Sequence, residues 1–135
     1  MAGASAAKAI SVALAPAGGH GVAASIETAS DQLGLAVRVK DAQNLWFLAP
    51  VPQFGAWRLA KLVGGTVVQS FPIPLLGSKP GTQAALLTDG DALKVVIDGR
   101  VRLSITDAAL ADQSGVGYVA LAAVAGGWTD GRVLP

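Results

Sequence analysis

The residue types that could do chemistry are few. Retaining glycoside hydrolysis needs two carboxylates about 5 Å apart, which on a strand means two residues apart and facing one way. The only glutamate is Glu27. Asp41, Asp89, Asp91, Asp98, Asp107, Asp112 and Asp130 fall at expected turns or strand ends, where the side chain serves the backbone. No acid and base pair on one strand, so a catalytic role is not expected. His20 is the only histidine and stands in a glycine-rich turn with no serine or cysteine in a nucleophile pattern, so it reads as a solvated loop residue. Asp41, Asn44 and the Asp89/Asp91 pair are hard oxygen donors of the kind calcium takes, but they lack the regular spacing of a ligand loop and read as turn residues. No cofactor is expected.

Aromatic side chains are the remaining resource. Sugar rings present C–H faces that stack on aromatics, and such a site needs polar donors and acceptors beside the ring. Trp46 follows Asn44, and Trp57 precedes Arg58 just after Gln53-Phe54. With three Trp, three Phe and one Tyr in the whole chain, the core competes for both tryptophans. Phe54, at the tip of a proline-rich loop, is the better exposed contact. The candidate contact residues for a carbohydrate or a partner are therefore Trp46, Trp57, Asn44, Arg58 and Phe54.

The elements that would position them are strands. Residues 93–107 read LKVVIDGRVRLSITD, two alternating arms joined at Asp98-Gly99, and Asp-Gly between apolar alternations is a strong hairpin signal. Leu93, Val95 and Ile97 share one face of the first arm, and Val101, Leu103 and Ile105 one face of the second. Leu33, Leu35, Val37 and Val39 alternate with Gly34, Ala36, Arg38 and Lys40, the cleanest single strand of the chain. Strands are also expected at Ile10 to Leu14, 22–28, 45–48, 56–63, 66–71, 82–88, 116–123 and around Trp128. Residues 50–55 carry two prolines and read as a loop, as do residues 72–81. Residues 108–114 have helical propensity for one or two turns only.

About ten short strands with turn chemistry between them describe an all-β sandwich or barrel. The 135 residues suffice for one domain, taken as 1–135. Net charge is +1 with the basic residues scattered, so nucleic acid is not an expected partner. There is no cysteine for a disulfide and no apolar run long enough for membrane insertion. The short, β-branched N-terminal apolar stretch reads as a strand and not as a secretion signal.

The order of parts resembles a known family. GLAVRVKDAQNLW at 34–46, then WRLAKLVGGT, LKVVIDGRVRLSITDAAL, SGVGYVAL and GGWTDGRV, is similar to the strand and corner sequence of laminin-G-like, concanavalin A-like jelly rolls. The resemblance implies an antiparallel two-sheet jelly-roll sandwich. Such modules are frequent in small minor tail proteins of phages and in bacterial carbohydrate-binding proteins. The resemblance therefore implies a structural virion protein, in a phage tail or as a capsid decoration protein, with other virion proteins and its own copies as partners. The alternative it implies is a lectin-like module for cell-envelope glycans, extracellular or at the cell surface. Members of the family usually begin with an additional aromatic-containing strand region, and without it an edge is left open to pairing, which favours assembly.

Overall fold

The computed structural model describes residues 8–11, 21–41, 43–113, 115–120 and 127–134. Expectations for Val12, Leu14, the turn cluster at 16–20 with His20, and residues 121–126 lie outside the described residues. Among the described residues there are eleven strands: β1 Lys8–Ser11, β2 Gly21–Thr28, β3 Leu33–Asp41, β4 Asn44–Val51, β5 Ala56–Val63, β6 Thr66–Ile73, β7 Gln83–Asp89, β8 Ala92–Ile97, β9 Arg100–Thr106, β10 Gly115–Ala120 and β11 Gly127–Leu134. They form an antiparallel six-stranded sheet, β1-β10-β3-β4-β5-β6, and an antiparallel five-stranded sheet, β11-β2-β7-β8-β9. The fold is the expected jelly-roll sandwich. Residues 108–113 make two hydrogen-bonded turns and no helix.

Alternation builds the interior. Leu35, Val37, Trp46, Leu48, Trp57 and Leu59 of the larger sheet face Val22, Ile26, Leu86, Leu93, Val95 and Ile97 of the smaller one. The other face of the larger sheet is apolar as well: Ala36, Leu45, Phe47, Ala49, Ala60, Leu62 and Val119 form a second cluster and are also buried. In β4 the in-facing and out-facing residues are both buried, which is why it reads as a continuous apolar run and not as an alternation.

The hairpin at Asp98-Gly99 forms as expected, with positive φ at both turn residues (50° and 82°). Three details differ from the alternation. A register shift pairs Val95 with Leu103 but Val96 with Val101, so Val101 turns to the outer face and is 60% exposed, while Leu103 and Ile105 pack on the core. A second shift falls between Val37 and Asp41 and brings Arg38 inside, at φ 51°, where it is buried. Finally, Pro72 and Ile73 belong to β6, where Pro72 pairs with Arg58, and Pro50 belongs to β4, none of them to a loop. Pro50 pairs with Trp57 on β5, while the pairs of β4 with β3 run only as far as Leu48, so the missing N–H interrupts no ladder on that side.

Arg38 closes one end of the sandwich. Its Nε donates to Thr88 Oγ1 at 3.0 Å, Nη1 to the carbonyls of Asp107 (2.6 Å) and Ala109 (3.3 Å), and Nη2 to those of Gly90 (2.7 Å) and Ala92 (3.4 Å). These five acceptors match the five N–H donors of a guanidinium, which is what lets a cation be buried. Burial works against its charge, and nearby Asp107 and Asp91 support it.

Candidate functional site

Two of the expected contact residues are core residues. Trp46 and Trp57 are both 0% exposed, and each indole N–H is bound to a backbone carbonyl, Trp46 to Ala109 (3.1 Å) and Trp57 to Gly77 (3.0 Å). Neither offers a ring face for stacking, because the inward positions of β4 and β5 claim the largest side chains for the interior. Asn44 is engaged as well. Its Nδ2 donates to Asp41 Oδ1 at 2.9 Å and its Oδ1 accepts the N–H of Gly64 at 3.1 Å, so it ties the β3–β4 turn to the β5–β6 turn. The same Asp41 oxygen accepts the N–H of Gln43, and these hydrogen bonds hold the Asp41 carboxyl below its usual range. The possible calcium ligands Asp41 and Asn44 thus have turn roles. Among the described residues, no three His, Cys, Asp or Glu side chains gather in a way that could hold a metal.

Phe54 and Arg58 lie at the opposite end of β4 and β5 from Asn44. After Val51 the chain makes one 3-10 turn, Pro52–Phe54, which stops at Gly55 (φ 59°) with the Gly55 N–H bound to the Pro52 carbonyl at 3.2 Å. That left-handed stop is a glycine's conformation. Phe54 is thrown outward and is 79% exposed, the only exposed aromatic among the residues whose side chains are described. Beside it, Gln53 Nε2 donates to Asp31 Oδ2 at 2.9 Å and Gln32 Nε2 to Asp31 Oδ1 at 3.1 Å. The bond from Gln53, aided by Gln32 and the charge of Arg58 against some burial, keeps the Asp31 carboxyl below its usual range, so it is ionised at neutral pH. The Arg58 guanidinium lies 5.2 Å from the centroid of Phe47, a cation–π contact on the outer face of the sheet.

A second loop joins the same end. The Leu76 N–H donates to the Gly55 carbonyl at 2.8 Å, which fixes the loop after β6 against the Phe54 turn. Leu76 packs on the core, whereas Leu75 is 96% exposed and sits at φ 57°. For a leucine that left-handed conformation costs roughly 1–2 kcal/mol. The end thus carries Phe54 and Leu75 on two loops joined by a backbone hydrogen bond, with the Gln53–Asp31–Gln32 cluster at the Phe54 turn and Arg58 near enough to act on the Asp31 charge. Sequence reasoning placed Phe54 and Arg58 here but missed Asp31, Gln53 and Leu75. Asp31 reads as one more turn residue, and Leu75 is indistinguishable in sequence from its half-buried neighbour Leu76. A shallow hollow of about 170 Å³ lies elsewhere, over β2, β7 and β8, lined by Ala23, Ser25, Gln83, Ala85, Val96 and Gly99, and it holds no charged or aromatic side chain.

No protein-family model matches the sequence, and no curated protein matches it. Solved structures do match in fold. A carbohydrate-binding module, CBM66 from Bacillus subtilis, superposes with a TM-score of 0.60 at 15% identity, over 96% of this chain and 74% of that one. Chicken galectin 2 superposes with a TM-score of 0.59 at 11% identity, over 84% of this chain and 88% of that one. A Bacillus licheniformis beta-glucanase superposes with a TM-score of 0.56 at 8% identity, over 82% of this chain and 53% of that one. At these identities the likeness establishes the fold, a concanavalin A-like β-sandwich.

Proposed function

We propose that the chain is a non-catalytic, lectin-like binding module that holds a carbohydrate at the Phe54 end of the sandwich, outside the cell or at a cell or virion surface. The observation that carries this is Phe54 itself, 79% exposed on a turn fixed by Gly55 and set beside the Gln53–Asp31 pair. A sugar's C–H face covers the ring while Asp31, Gln53 and Arg58 exchange hydrogen bonds with its hydroxyls. The fold likeness to a carbohydrate-binding module supports the reading by analogy.

Calorimetric titration with a panel of cell-envelope polysaccharides and their oligomers tests it. Covering a phenylalanine is worth about 2 kcal/mol, so Phe54→Ala should weaken binding roughly thirty-fold. Asn44→Ala, at the far end, should leave it unchanged. A panel with no binder, or a Phe54→Ala variant that binds like the parent, removes the proposal.

A second reading is favoured by the apolar character of the same end and by β6, an edge strand that is largely exposed and has no charged residue in TVVQSFPI. In it the chain is a virion structural protein, a phage minor tail or capsid decoration component, that docks on other virion subunits or its own copies. Light scattering separates the two readings: a stable oligomer without glycan response supports assembly, and a glycan-binding monomer supports the lectin-like module.

A further inference from the structure

Nothing among the described residues accounts for Leu75. Its side chain is 96% exposed, so it contributes no burial, and its φ of 57° is a conformation that asparagine or glycine adopts more easily. The flanking residues hold it there. Leu76 is anchored by its packing on the core and by its N–H to the Gly55 carbonyl at 2.8 Å, and the Gly77 carbonyl accepts the Trp57 indole N–H at 3.0 Å. A leucine fixed outward at a conformational cost gains only when something outside the chain covers it.

We infer that Leu75 is a contact residue of the Phe54 end, and that the sugar bound there carries an N-acetyl group whose methyl packs on Leu75. The inference rests on the carbohydrate reading above and names its ligand class. An unsubstituted hexose would press hydroxyls against the leucine, where they lose water and find no partner. A methyl in that position is instead taken out of water at no polar cost. The ionised Asp31 and the Arg58 cation offset one another, which suits a neutral acylated sugar better than a charged one.

Two neutral oligomers of the same linkage, chitohexaose and cellohexaose, differ in this group alone and serve as probes. The parent chain should bind chitohexaose about tenfold or more tightly than cellohexaose. Leu75→Asn should reduce that preference to within about twofold, with cellohexaose affinity kept and the melting temperature equal or higher, since asparagine tolerates the left-handed conformation. Equal binding of the two oligomers by the parent, or an undiminished preference in Leu75→Asn, overturns the inference. A drop in melting temperature also overturns it, because Leu75 would then have an intramolecular task. In those cases the carbohydrate reading stands as long as Phe54→Ala still weakens binding roughly thirty-fold. If neither these oligomers nor any other glycan binds, both fall together.

Discussion

Asp107 serves three partners at once. Its Oδ1 accepts the N–H of Ala109 at 2.7 Å, its Oδ2 the Nζ of Lys61 at 3.2 Å, and its backbone carbonyl the Arg38 guanidinium. The Ala109 hydrogen bond, and then Lys61, hold its carboxyl below the usual range against some burial. A carboxyl with a depressed folded-state value stabilises the fold above its unfolded value of about 4, and this is lost as pH falls through the folded value. Urea midpoints should therefore be flat from about pH 7 to 5 and decline below about pH 4. Asp107→Asn should show a shallower decline over that acid range, and parallel curves for the two proteins would refute the assignment. In the sequence Asp107 is a strand-end aspartate like several others. That Arg38, 69 positions away, binds its carbonyl is a fact of topology, to which local pattern is blind.

Strand alternation was legible wherever two faces have different fates and the ladder is regular. The β8–β9 hairpin was readable because Asp-Gly demands a particular turn and Leu93, Val95 and Ile97 alternate cleanly. Val101 was not, because an irregularity in the ladder leaves composition untouched and only shifts which residues face inward. Arg38 was hidden in the same way. The error at Val101 has a measurable form: Val101→Thr should change stability by less than about 0.5 kcal/mol. Leu103→Thr, two residues on, should cost about 1–2 kcal/mol because it removes a side chain that packs on the core and places a hydroxyl there. Equal losses in urea melts would mean that the alternation, and not the shifted register, describes β9. The contact residues divide along the same line. Phe54 was legible from the prolines around it, whereas Trp46 and Trp57 were claimed by the core, and Leu75 is set apart from Leu76 only by a backbone angle.

At the scale of the whole molecule the sandwich has two unlike ends. One is closed by polar bonds: Arg38 to the backbone carbonyls, Asn44 between two turns and Lys61 on Asp107. The other projects Phe54 and Leu75 into solvent over a loop pair that is itself well tied down. Phe54 and Leu75 are the two most exposed large apolar side chains of the described residues, ahead of Val63, Val67 and Val68 around β5 and β6 and of Val101 on β9. The resemblance to jelly rolls was readable from the order of strands and turns. The particular ligand was not, because this fold hosts many functions and the contact side chains come from three separate loops.

The burial of β4 on both faces bears on how the protein opens. A strand flanked by β3 and β5 and covered above and below exposes its amides only when the whole sandwich comes apart, while edge strands open in small local fluctuations. In deuterated water the amides of Leu45, Trp46, Phe47 and Leu48 should exchange last, at a rate governed by global unfolding. Those of β6 and β9 that face solvent should exchange first. The slowest amides then report total stability directly, and ligand binding at the Phe54 end should slow them in proportion to its affinity.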